Sequence, residues 1–146
     1  MSRPSVAERG SVLMLMPAAV LIVIVLGSIA VDLAIAFLGE REAASLAAAA
    51  ANDAATAALR EGVFRETGEF RIDEDRARRI VRATLQASSS ELDGLDFDVR
   101  FSTIAGEPAV TVTVRGTVDY VFARAIPGAP DGIDVEATAT AVARIG

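Results

Sequence analysis

The chain has 146 residues, 52% of them apolar, and carries 20 acidic against 14 basic side chains for a formal charge of −6. It holds no cysteine and no histidine, which excludes disulfides, thiolate metal sites, thiol nucleophiles and Ser-His catalysis within the chain. No Gly-x-Ser-x-Gly occurs and no lysine completes a phosphate loop, so the sequence reads as a non-enzyme with no cofactor.

Residues 1–10 form a hydrophilic leader with Arg3, Glu8 and Arg9, ending Glu8-Arg9-Gly10. From Ser11 to Val31 no side chain is charged. As a helix that run is roughly 31 Å long, enough to cross the hydrocarbon of a bilayer with every backbone amide bonded internally. The sequence therefore predicts a transmembrane helix over 11–38. Pro17 should kink or loosen its first turns, because the proline ring meets the carbonyl four residues earlier. Ala30 and Ala34 form a small-xxx-small pair that, with Gly27, would let a partner helix approach closely. Asp32 falls at the outer interface, where its charge stays hydrated. The competing reading is a secretory signal cut after Ser28-Ile29-Ala30 or Ala34-Ile35-Ala36, which would release a small binding module. The run is longer than an ordinary signal core, which favours a retained anchor. Arginines precede the run and acids dominate after it, so the N-terminus is expected in the cytoplasm and the bulk of the chain outside the cytoplasmic membrane.

Residues 39–60 continue the rod. Alanine, the strongest helix former, dominates Glu40–Leu59, with Gly39 as a soft interruption, so one helix about 70 Å long is expected from Ser11 to Leu59. Its small side chains allow close approach by a sheet or another helix; Leu46 and Leu59 are the large exceptions. Residues 61–146 are the external domain. Glu61–Ile72, with Gly62 and Gly68, reads as a loop. Asp73 is an N-cap for a second helix whose Ala77, Ile80, Val81, Leu85 and Ser88 share a face, fraying at Ser88-Ser89-Ser90. Arg76, Arg78, Arg79 and Arg82 lie elsewhere on it. Without interleaved aromatics, in an acidic domain, they read as a solvated face and not as a nucleic-acid site.

Period-two alternation then marks three strands: Phe97–Phe101, Val110–Val118 and Ile133–Ala143. Gly106-Glu107-Pro108 is a short turn between the first two, and Pro127–Gly132 a longer connection before the third. Glu91, Asp93, Asp96 and Asp98 are weak calcium candidates without EF-hand spacing; turn and strand solvation explains them better. The fold class is α+β: a long N-terminal helix, a short second helix and a three-stranded antiparallel sheet.

This layout resembles the pilin-like subunits of bacteria, and more closely the TadE-like and TadG-like minor pseudopilins of the Tad (Flp) pilus-assembly system. The resemblance rests on Glu8-Arg9-Gly10 before the apolar run, Pro17, Ala30-Val31-Asp32, the segment Ala51-Asn52-Asp53-Ala54-Ala55-Thr56-Ala57-Ala58, and the closing Thr138-Ala139-Thr140-Ala141. It implies cleavage by a prepilin peptidase between Gly10 and Ser11, and partners among pilin-like subunits and assembly-platform proteins in homo- or hetero-oligomers. The fifth mature position, glutamate in many pilin precursors, is Leu15 here, which fits a TadG-like or tip subunit better than a major pilin.

Overall fold

The structure is a computed structural model that describes residues 7–61 and 72–143, with side chains from Leu15 to Ala57 and from Ile72 onward. Helix α1 spans Ala7–Glu61, 55 residues without a break, or roughly 80 Å. It passes through Pro17 and Gly39 uninterrupted, so neither residue ends it. Pro17 removes one backbone hydrogen bond, that to the carbonyl four residues earlier, without ending the helix. Glu61 is the last helical residue and not the first of a loop; of the rest of the expected loop, 62–71 lie outside the described residues, as does the side chain of Leu59, and Ile72 packs half-buried against the core.

Helix α2 spans Glu74–Ala87. The Asp73 carboxylate caps it by accepting from the Arg76 N–H at 3.0 Å, with Glu74 and Asp75 in the first turn where the helix dipole favours acids. Ala77, Val81 and Leu85, spaced by four, form its buried stripe, and Ile80 is half-buried beside them. The helix stops at Ser88, whose hydroxyl and N–H both return to the Thr84 carbonyl.

The strands β1 (Asp93–Ile104), β2 (Glu107–Asp119) and β3 (Gly132–Val142) make one antiparallel sheet in the order β1-β2-β3. The first two run beyond their alternating apolar stretches, because ladder pairing continues into the flanks, while β3 matches its expected stretch to within one residue at each end. Residues Ala105 and Gly106, with φ of 53° and 86°, are the whole β1–β2 turn. Two successive positive φ values belong to the type I′ hairpin, whose twist matches that of the strands. Glu107 and Pro108 therefore belong to β2, paired with Ile104 and Thr103, and not to the turn. The β2–β3 connection is longer than expected, beginning at Tyr120 and containing a 3₁₀ turn at Ala123–Ala125.

The sheet lays one face on α1 and α2. On β2 the buried valines are Val110, Val112 and Val114, matched by half-buried Phe97 and Phe101 around buried Val99 on β1, and by Val135 and Ala141 on β3. Against them α1 presents Ala43, Leu46, Ala47, Ala50, Ala51, Ala54 and Ala55, all buried. Alanine at these spacings thins the side-chain layer between helix axis and sheet, which lets the two pack closely. At Gly39 the approach is closer still: an added Cβ would stand 2.3 Å from Val118 Cγ2. Gly39 is thus a contact point and not merely a soft spot in the helix. Arg78 and Arg82 lie over the rings of Phe101 and Phe97, at 5.6 and 5.8 Å from the centroids, and cover the aromatic side of β1. The opposite face of the sheet is polar, with cross-strand pairs Thr111–Thr140, Thr113–Thr138, Arg115–Glu136 and Thr117–Asp134.

Candidate functional site

Two regions of α1 behave differently, and their boundary is the feature most unlike an ordinary soluble fold. From Leu15 to Val31 the large apolar side chains point outward with nothing over them: Leu15, Leu21, Val23 and Leu26 are each at least 60% exposed. One helix of the described chain, near its N-terminus, is thus long and apolar enough to cross a membrane. Only 11% of its most apolar window is buried within the described residues. Pro17, Gly27 and Ala30 lie in this bare segment and Ala34 just past it, all exposed, and a Cβ at Gly27 would meet nothing within 4 Å. The small residues expected to receive a partner helix are therefore free of the protein's own head. Gly10 and Ser11 lie within the first turns of α1, and their side chains are outside the described ones.

Asp32 marks the change. It is the buried charged residue among the described side chains, at 8% exposure. Its Oδ1 accepts the Val121 N–H at 2.9 Å and the Phe122 N–H at 3.1 Å, and its Oδ2 accepts the Ala123 N–H at 2.8 Å. These amides open the 3₁₀ turn Ala123–Ala125, at whose N-cap position Phe122 has no side-chain oxygen to offer. The free N–H groups at the start of any helical turn need acceptors, and here a carboxylate about ninety residues away in sequence supplies them. The expectation that Asp32 stays hydrated at the interface is corrected: protein donors replace its water. Charge-assisted bonds of this kind are stronger than neutral ones and hold the loop in register on the helix.

Two further polar residues of the alanine-rich segment fasten the head, and sequence reasoning passed over both. Glu42 Oε1 accepts the Glu91 N–H at 3.1 Å, just ahead of β1. Asp53 Oδ2 accepts from the Thr84 hydroxyl at 2.8 Å, tying α1 to α2. Polar residues recurring among alanines were the available signal; their partners lie 49 and 31 residues away, so no local pattern names them.

The carboxylates considered for calcium are spread along the start of β1. Asp98 is paired with Arg100 at 3.0 Å, while Asp96 stands opposite Arg115 on the polar face, which Glu136 also engages at 2.7 Å. No group of three or more metal-ligating side chains gathers among the described residues. Every buried side-chain polar atom described has a hydrogen-bond partner. The described residues thus form a bare apolar rod, a polar lock at Asp32, and a small sheet packed on the rest of the rod. The chain matches no family model, no curated protein and no solved structure.

Proposed function

We propose that this chain is a single-pass, membrane-anchored, pseudopilin-like structural component of a Tad (Flp) pilus or a related secretion apparatus, acting by subunit–subunit packing. The observation that carries the reading is one unbroken helix whose first half is exposed and apolar and whose second half lies beneath a sheet. Lipid accepts such a first half because its backbone is bonded internally and its side chains need no water. The leader faces the cytoplasm, the head stands outside the cytoplasmic membrane, and neighbouring pilin-like subunits and platform proteins meet it there. Exposed Ala30 and Ala34 offer a close-packing stripe within the bilayer, and β1 and β3 each keep one edge unpaired within the described sheet. A cut after Ala36 is disfavoured, because it would take away Asp32 and leave three loop amides without their acceptor, whereas against a cut after Ala30 stands the length of the apolar run.

The test has two parts. The protein should stay with membranes through carbonate washing and begin, by mass, at Met1 or Ser11; recovery in the wash, or a start beyond Ala30, would overturn anchoring. Deletion of its coding sequence should impair pilus assembly and surface adherence, and unchanged adherence would remove the assembly role.

A further inference from the structure

We infer that the loop Tyr120–Ile126 beds in the lipid–water interface beside α1 and screens Asp32 from the bilayer. The inference rests on the membrane reading above and adds a second point of contact to it.

Three large apolar side chains stand outward on this short loop: Val121 at 54%, Phe122 at 44% and Ile126 at 62% exposure. The loop's position along the rod is set by the three bonds to Asp32. That level is where the hydrocarbon ends. The charge-free run reaches Val31, and on the side of α1 away from the head the exposed surface stays apolar through Leu33, Phe37 and Leu38, each above 60% exposure. The next charges on the helix are Glu40 and Arg41. The edge of a roughly 30 Å hydrocarbon layer therefore falls between the levels of Asp32 and Leu38.

A bare carboxylate facing lipid at that depth would be costly. The loop removes the cost by filling the lone pairs with amide donors and covering the group, after which its own outer side chains face what α1 faces there. In water Val121, Phe122 and Ile126 would be an apolar patch; at the interface they have an apolar layer to enter, as aromatic and aliphatic belts do. The loop's one charged residue within this stretch, Arg124, is bonded to Asp119, so its charge is paired.

The chain has no tryptophan, so a single one reports without background. Full-length Phe122→Trp, with Ile126→Trp as a second probe, is reconstituted in phosphatidylcholine vesicles with acyl chains brominated near the headgroup, and Val23→Trp in vesicles brominated near the chain end. Val23→Trp reports the anchor and Ala44→Trp the exposed outer helix. Emission from the two loop probes should be blue-shifted and fall by at least half the fractional loss seen for Val23→Trp, while Ala44→Trp is unchanged. If Val23→Trp is quenched and both loop probes behave like Ala44→Trp, the inference is overturned and the anchor stands. Loop probes that are blue-shifted but unquenched would mean that a second copy covers the loop, which also overturns it. An unquenched Val23→Trp removes the membrane reading and the inference together.

Discussion

Gly39 tests the packing of rod on sheet more sharply than any other position, because two effects of opposite sign meet there. In a helix interior alanine is favoured over glycine by about 1 kcal/mol, so helix propensity alone makes Gly39→Ala stabilising. The structure sets a clash against this gain: the new methyl would lie 2.3 Å from Val118 Cγ2, 3.4 Å from Val118 Cβ and 3.6 Å from Val135 Cγ1. Valine is stiff at χ1 and sits on a paired strand, so the relief must come from moving helix or sheet. Overpacking of this kind costs about 1–3 kcal/mol, which leaves Gly39→Ala destabilising by about 1 kcal/mol net. Val118→Ala alone loses two half-buried methyl groups, about 1 kcal/mol. In the double variant the alanine methyl enters the vacated space and the helix gain is realised, so stability returns close to the starting value, a coupling of about −2 kcal/mol. The assay is urea unfolding in detergent micelles, followed by the fluorescence of Tyr120, the only tyrosine, at the end of β2. If Gly39→Ala raised stability by about 1 kcal/mol, helix and sheet would not meet at this residue and the reasoning would fail.

Asp32→Ala removes all the acceptors of three loop amides, so exchange of the Val121, Phe122 and Ala123 amide protons should accelerate by roughly tenfold or more in micelles, with Asp32→Asn intermediate. Unchanged exchange would show that the loop holds its shape without the carboxylate. Asp73→Ala deletes the cap of α2 and should cost about 1 kcal/mol in the same urea assay, while Asp75→Ala, which loses only its place in the helix dipole, costs about 0.3 kcal/mol. Equal losses would argue against capping. Ala105→Asn replaces the residue held at φ 53° with one that tolerates the left-handed region, and should stabilise the hairpin by about 0.5 kcal/mol. A lower unfolding midpoint would contradict the type I′ turn.

The polar row across the outer sheet illustrates how modest surface charge is. Arg115 is held more firmly protonated than usual, first by its hydrogen bond to Glu136 and then by that residue's charge together with Asp96 and Asp98. Both partners of the pair are about half exposed, so water and salt screen them. The inner face therefore decides stability.

Much of this fold was legible in local patterns. The charge-free run could only be a helix with its backbone bonded inside itself, and alanine carried that helix onward to Glu61. Asp73 and the four-residue spacing of Ala77, Val81 and Leu85 specified α2, and alternation specified three strands. These readings succeed because hydrogen bonding in helices and the two-residue period of strands are properties of neighbouring residues. The turn at Ala105-Gly106 was displaced by the attraction of Pro108 as a turn signal, although proline is accommodated at the start of β2.

Tertiary structure alone decided what Asp32 and Gly39 do. The partners of Asp32 are backbone N–H groups, which almost every residue possesses and no side chain advertises. The role of Gly39 is the absence of an atom where Val118 arrives from a strand distant in sequence. Such meanings arise only when two remote segments share one volume, so the sequence determined the parts and their faces, and packing determined where they lock.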